Sequence, residues 1–442
     1  MNSSRKIDLV KLVDNGPLSW FQVRVIGLCV FIALIEGFDT QLIGFVAPVI
    51  IDEWGLSKTM FGSVFSASLF GLMIGASILG RAGDKIGRKN LLLCSFAMVG
   101  LFTLLTAYAD NISELIVYRF LTGLALGGTI PNAITLVSEY APKRFRAVSI
   151  TIMLCGFPLG GMIGGIFIAP LIASSGWRPA FWIGGAMPLV LSVFLFFLLP
   201  ESIRFLSSNS TKNNQTSQLL SRIDKTYFPR ENDSFIIDKI EKNNARFVDI
   251  FSEGRFIGTM LIWGLFITNL LMLHLMMSWL PTILTEAGIT LDKAIIATSM
   301  FSAGGIVSGV VIGRVIDRSS PYWILFVTYV FAALVAIFLS LSGNSFALII
   351  VLVFCAGMGI LGPQLAINAL AANFYPSAIR STGVGAALSA GRIGAITGPL
   401  IGGVMLGLGL SASNIFLMLI FPASICAGLI ILLGINSRRR TV

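Results

Sequence analysis

Twelve apolar stretches, each long enough to cross a bilayer, run through this chain of 442 residues. They cover 22–48, 58–80, 90–109, 113–138, 147–171, 178–199, 256–281, 293–316, 322–341, 345–371, 382–406 and 412–434. A helix needs roughly 20 apolar residues to span the hydrocarbon core. In hydrocarbon every backbone N–H and C=O must be paired inside the structure, and runs of this kind pair them as helices. Charged residues make up only 12% of the chain, against about 25% in soluble domains, so little is left for an aqueous domain. The expected fold is an all-α membrane protein of twelve transmembrane helices.

An even number of spans puts both termini on one side. That side comprises the termini, residues 81–89, 143–146, 200–255 and 314–318, and Arg380. Counting Arg24, at the mouth of the first span, with the N-terminus, it holds 26 of the 31 Lys and Arg residues. The opposite loops hold Lys58, Arg178 and Lys293, while Arg119 and Arg392 lie inside spans. Basic loops stay in the cytoplasm, so both termini and the central segment are expected there. The same asymmetry accounts for the net charge of +10, and no nucleic-acid partner is needed to explain it. The lone His and five Cys scattered in apolar spans argue against a metal centre and a disulfide framework; no cofactor is expected. The first twenty residues are polar, so no cleavable signal peptide is expected.

Five segments follow: a cytoplasmic N-terminal segment 1–21, a six-helix bundle 22–199, a linker 200–255, a second six-helix bundle 256–434 and a tail 435–442. In the first segment Ile7, Val10 and Lys11 suggest a short surface helix stopped at Asn15-Gly16-Pro17. The linker is polar, with charges of both signs and a net charge near zero. No obligate protein partner is expected, and the functional unit reads as a monomer.

The chain repeats itself. Gly80-Arg81-Ala82-Gly83-Asp84-Lys85 follows the second span, and Gly313-Arg314-Val315-Ile316-Asp317-Arg318 follows the eighth. Gly123, Gly128, Pro142 and Arg146 are matched at nearly the same offset by Gly357, Gly362, Pro376 and Arg380. A six-span duplication gives two pseudo-symmetric halves of equal orientation. Transporters built this way hold substrate between the halves and rock around it.

Glu36 and Asp39 lie deep in the first span, three residues apart and so on one helical face. A charge at that depth costs at least about 2.5–3.5 kcal/mol, which suits a group that binds and releases a proton. Arg119 in the fourth span lies at a similar depth, roughly 9 Å from the outer edge against roughly 13 Å for Asp39 at 1.5 Å per residue. It is expected to pair with Asp39 or to alternate between the two acids. One Arg cannot neutralise two carboxylates, so one acid is expected to take up a proton. The alternative is a buried ion pair that only fixes the packing of two helices. Arg392 falls near midplane in a half without a matching acid. A guanidinium offers a planar fork for a carboxylate; either a substrate anion fills it, or Glu36 does across the interface, or it faces a water-filled cavity.

Asn269 and His274 in the seventh span are further substrate-binding candidates. His274 could bond a ring hydroxyl, relay a proton, or serve as an interhelical donor. Trp279 and Phe157 could stack on an aromatic ring or simply pack. Gly80, Asp84, Lys85 and Arg88 lie too near the cytoplasm for substrate and read as a gate latch favouring the outward-open state, with Asp317 and Arg318 as a second one. Topogenic charge alone is the other reading. Small residues at four-residue spacing, Gly71 and Gly75, Gly160 and Gly164, Gly305, Gly309 and Gly313, suit close helix packing, as does Gly394-xxx-Gly398-Pro399. No phosphate-binding loop is present to couple ATP. An enzyme would need a nucleophile–base constellation and a sensor an output domain, and neither is visible.

Gly80-Arg-Ala-Gly-Asp-Lys-Ile-Gly-Arg-Lys89 resembles the signature between spans two and three of the major facilitator superfamily. The half-repeat at Asp317 and Pro200-Glu201-Ser202 after span six agree with it. Glu36-Gly-Phe-Asp-Thr-Gln41 with Ile43-Gly-Phe-Val-Ala-Pro48 resembles the first span of the aromatic acid:proton symporters, whose usual form opens with Asp where this chain has Glu36. Arg119-Phe-Leu-Thr-Gly-Leu-Ala-Leu-Gly-Gly128, Ser138-Glu-Tyr-Ala-Pro142 and Ser389-Ala-Gly-Arg-Ile-Gly-Ala395 are similar too. The resemblance implies the major facilitator fold, a bacterial inner membrane, and import of a benzoate-, hydroxybenzoate- or phenylpropionate-like acid with protons. A porter for another organic anion, or a proton-exchanging exporter, is the alternative.

Overall fold

Helices form where the apolar runs lie, and small polar caps and glycines set the turns between them. The computed structural model describes residues 6–207, 213–224, 227, 234–236, 247–316, 320–343 and 345–438. A strand β1 (Lys6–Asp8) and a helix α1 (Leu9–Asn15) precede the first long helix, α2 (Trp20–Glu53). Ser19 starts α2 reciprocally: Gln22 N donates to Ser19 Oγ at 3.3 Å, and Ser19 N donates to Gln22 Oε1 at 2.7 Å. Two N–H groups that a helix start leaves orphaned are thereby paired. Then come α3 (Lys58–Ile86), α4 (Arg88–Thr106), α5 (Ile112–Leu126), α6 (Thr129–Tyr140), α7 (Lys143–Ser175) and α8 (Arg178–Leu198). The central segment carries α9 (Ile203–Ser207), α10 (Asn213–Ile223), strand β2 (Ser234–Ile236) and a 3-10 turn at Phe247–Phe251. The C-terminal half is α11 (Phe256–Glu286), α12 (Leu291–Ile316), α13 (Pro321–Leu341), α14 (Phe346–Ile360), α15 (Gly362–Phe374), α16 (Arg380–Gly407), α17 (Ala412–Met418) and α18 (Ile420–Arg438).

Counting α5–α6, α14–α15 and α17–α18 as interrupted helices, the described residues contain 12 helices long and apolar enough to cross a membrane, six in each half. The interruptions were not expected from hydropathy. The first falls at Gly127-Gly128, the second at Leu361 just before Pro363, which lacks the N–H that a continuous helix would use. Small residues bring the helices close. A Cβ at Gly37 would run into the Phe157 backbone, and one at Gly160 into the Leu34 carbonyl, so α2 and α7 touch main chain to main chain. Gly394 and Gly398 do the same for α16 against Ile267 and Leu271 of α11. Gly313, by contrast, faces open space, so that end of its glycine stripe packs against nothing.

The halves meet through α2 with α11, α3 with α16, and α7 with α12. The face carrying the two ends of the chain is here the terminal face, its opposite the distal face. The ties between halves lie toward the distal face. Lys58 pairs with Glu286; Thr59 Oγ1 donates to Gly403 O at 3.2 Å; Ser66 Oγ donates to Ile396 O at 2.8 Å; Gln41 Nε2 donates to Ser302 Oγ at 2.8 Å. At the terminal face the last turns of α3 and α12 (Asp84, Lys85, Arg314, Val315) and the first turns of α7 and α16 (Lys143, Arg144, Arg380, Ser381) are exposed. The cleft between the halves therefore opens toward the terminal face.

A small cap sits on that face of the N-terminal half. β1 and β2 pair in parallel, Lys6 opposite Ser234 and Asp8 opposite Ile236. Ile7, Leu9 and Val13 join Leu220, Ile223 and Tyr227 in one buried cluster with Tyr140 and Leu199. Arg146 Nη2 donates to Asp14 Oδ1 at 2.6 Å. The expected surface helix thus starts at Leu9, with Ile7 in a strand, and its apolar side is buried. The first part of the central segment is docked on the N-terminal half.

Candidate functional site

Asp39 sits near the middle of α2, where Gly37 lets α7 close in from one side. Its carboxylate accepts from Arg119 Nη2 at 3.0 Å on Oδ2, and from Arg119 Nη1 at 3.3 Å and Thr103 Oγ1 at 2.7 Å on Oδ1. Arg119 Nη2 also reaches Asp39 O at 3.2 Å. Both side chains have 0% exposure. This is a bidentate, fully desolvated pair, and Asp39 has no access to the cleft in this conformation. All of its partners belong to the N-terminal half.

Glu36, one turn earlier on α2, is not held by Arg119. It contacts Thr129 Oγ1, which the break at Gly127-Gly128 puts at the very start of α6. The same hydroxyl lies 2.6 Å from Leu126 O. Thr129 Oγ1 thus ties the Glu36 side chain to the turn where α5 ends and α6 begins. Glu36 keeps 4% exposure, and its Oε1 has no hydrogen-bond partner among the described residues.

Arg392 on α16 and Glu36 lie on opposite halves within electrostatic reach of each other, and Arg392 reaches His274 in the same way. Arg392 is half-buried. Among the described residues it makes no hydrogen bond or salt bridge, which leaves its guanidinium fork unoccupied. His274 is also half-buried, with Nδ1 3.0 Å from Leu270 O.

Asn269 does not reach the cleft. It is fully buried, its Oδ1 accepting from Tyr329 Oη at 3.0 Å and its Nδ2 donating to Gln364 Oε1 at 2.8 Å. The half-buried side chain in that chain of amides is Gln364, at the start of α15. Asn269 lies at the repeat offset from Glu36, so the two halves carry related polar clusters, one ionisable and one neutral. Trp279 is likewise taken. Its Nε1 donates to Pro399 O at 2.7 Å, and its ring meets Phe65 and Phe61 edge-on, with centroids 5.0 and 6.4 Å away. It belongs to the distal seal between the halves and is not free to stack on a ligand. Phe157 is half-buried, its backbone against Gly37.

The candidate gate residues Gly80, Asp84, Lys85 and Arg88 make no hydrogen bond or ion pair to the C-terminal half among the described residues. Asp84, 70% exposed, accepts from Arg88 Nη2 at 2.9 Å, and Arg88 Nε lies 3.6 Å from Glu139 Oε1. Gly80 has open space beside it and Lys85 is exposed. The start of α4 is capped by Glu201, whose Oε1 accepts from Arg88 N at 2.8 Å and Lys89 N at 3.1 Å; Asp84 does not take that role. Gly87 makes the turn at φ 95°, and a Cβ there would strike the Glu201 carboxylate. Asp317 and Arg318 lie outside the described residues. Thr103, Thr129, Gln364 and Tyr329 escaped the sequence reading, because a hydroxyl or amide in an apolar helix carries no signal of what it faces.

The family model of the major facilitator superfamily matches residues 29–399 and 262–441. The chain is 38% identical over 434 residues to the 4-hydroxybenzoate transporter PcaK of Pseudomonas aeruginosa, covering 98% of this chain and 97% of that one. It is 38% identical to the gallate transporter of Pseudomonas putida, covering 98% and 96%, and 34% identical to the benzoate transport protein of Acinetobacter baylyi, covering 99% and 94%. Among solved structures, the inward open conformation of the xylose transporter XylE from E. coli superposes with a TM-score of 0.70 at 15% identity, over 93% of this chain and 96% of that one. With this fold and these relatives along its whole length, the chain belongs to the major facilitator superfamily and, within it, to the aromatic acid:proton symporters.

Proposed function

We propose that this protein imports an aromatic carboxylate together with a proton by alternating access. The observation that carries the reading is Arg392, a half-buried guanidinium without a hydrogen-bonded or ionic partner among the described residues, facing Glu36 across the cleft. Relatives named for 4-hydroxybenzoate, gallate and benzoate support an aromatic acid as the occupant of its fork.

The cycle follows from charge balance. While the cleft is empty, Arg392 is the cation within reach of Glu36. A substrate carboxylate on Arg392 engages that charge, and Glu36 then takes a proton to remain in the low-dielectric cleft without a counter-charge. Anion and proton load together. After the two bundles rock, the acid leaves, Glu36 releases its proton and Arg392 again faces it. Asp39 and Arg119 complete the proton-coupling group by holding a fixed charge pair one turn from Glu36.

The basic loops favour a cytoplasmic terminal face carrying both termini, and the bacterial transporters that the chain resembles support an inner membrane. The open cleft is then the inward-open, releasing state. Gly80, Asp84, Lys85 and Arg88, with Asp317 and Arg318, form the gate that closes this face in the other state, and a single chain suffices for the cycle. Uptake of radiolabelled ring acids into proteoliposomes under an imposed pH gradient tests the proposal. Accumulation that follows the gradient is expected; uptake indifferent to it, or of no ring acid, overturns it.

A further inference from the structure

The transport cycle leaves His274 without a task, although Arg392, the substrate's proposed anchor, lies within electrostatic reach of it. Its Nδ1 lies 3.0 Å from the carbonyl oxygen of Leu270, one turn earlier in α11. A carbonyl can only accept, so Nδ1 carries the hydrogen and Nε2 of the neutral ring is a bare lone pair. Nε2 has no hydrogen-bond partner among the described residues, and the ring is only half-buried. Arg392 is near enough for its charge to be felt, yet makes no hydrogen bond to the ring. Asn269 is satisfied by Tyr329 and Gln364 and lies five residues away, on another side of α11. A fixed acceptor beside a fixed cation is a pairing with chemical meaning. The guanidinium takes an anion, whereas the lone pair repels one and takes a donor.

We propose that His274 Nε2 accepts a hydrogen bond from a hydroxyl group on the substrate ring, so that the transporter selects hydroxylated aromatic carboxylates over unsubstituted ones. This rests on the aromatic-carboxylate reading of Arg392. An unsubstituted ring leaves Nε2 desolvated and unpaired, a cost that a hydroxyl in the right place removes. Leu270 O acts as the positioning group, because it decides which ring nitrogen bears the lone pair.

The test is competition in proteoliposomes between benzoate, the three hydroxybenzoates and the three fluorobenzoates. Fluorine is close to hydroxyl in size but donates no hydrogen bond. In the wild type at least one hydroxybenzoate should compete about three- to tenfold better than its fluoro counterpart. His274→Phe should bring that ratio to about one, and His274→Gln, which retains an acceptor, should keep part of the preference. A wild-type ratio near one for all three positions overturns the proposal, with no need for a folded variant. So does a ratio unchanged in His274→Phe, or an equal loss of every acid. If the wild type takes up no ring acid at all, the transport reading beneath it fails as well.

Discussion

Replacing Glu36 by Gln keeps the shape of the site and removes its exchangeable proton. The Gln side-chain oxygen can accept from Thr129 Oγ1 as the carboxylate oxygen does, so helix packing around the break at Gly127-Gly128 should survive. The magnitude follows from the charges in place. Asp39 is committed to Arg119 by two side-chain hydrogen bonds and to Thr103 by a third, at 0% exposure, which leaves Glu36 as the carrier and one proton per cycle. One proton with one monovalent carboxylate moves no net charge. A gradient of one pH unit then supports about tenfold accumulation, ~1.4 kcal/mol. A membrane potential, which otherwise supplies about 2.3 kcal/mol per charge per 100 mV, should add nothing. In proteoliposomes with pH and potassium-diffusion potential set independently, the wild type should accumulate substrate with the pH gradient alone. Glu36→Gln should only equilibrate, while still exchanging labelled for unlabelled acid. Tenfold accumulation by the variant would refute the assignment of Glu36. Accumulation driven by potential in the wild type would refute the one-proton count and draw Asp39 into the cycle.

Asp39→Asn strands the Arg119 cation in a dry site and should destabilise the protein by about 3–5 kcal/mol, read as lost heat stability in detergent. Asp39→Asn with Arg119→Gln should recover most of it, and equal stability of the single variant and wild type would show that the pair is hydrated. Arg392→Lys keeps the charge and loses the fork; substrate affinity should fall on the order of tenfold, and an unchanged half-saturation concentration counts against carboxylate anchoring there. Gly37→Leu drives a side chain into the Phe157 backbone and should abolish the monodisperse peak in size-exclusion chromatography. A normal peak would mean that α2 and α7 can separate without penalty.

What could be read from the sequence tracks how strongly one physical rule acted on it. The twelve spans were legible because lipid leaves the backbone no partner but itself. Asp39 and Arg119 were legible as a pair because ions at that depth are rare and their depths matched. Thr129 was not, since its contact with Glu36 depends on where a helix breaks, and Gly-Gly pairs are common in membrane helices. Asn269 and Trp279 were recognised as unusual, but not as already satisfied by Tyr329, Gln364 and Pro399, partners far away in sequence. The strands Lys-Ile-Asp and Ser-Phe-Ile are too short to carry any alternation.

That parallel two-stranded clasp bears on biogenesis. The ribosome releases Lys6 at the outset, but its partner Ser234 is translated only after six membrane helices. The N-terminal bundle therefore waits, uncapped, until the central segment has emerged. Complementing fragments cut just after residue 199 would separate β1 from β2, whereas a cut beyond Ile236 would let the first fragment close its own clasp. The natural seam between the two inserting units lies beyond β2 in the polar segment, well past the last turn of α8.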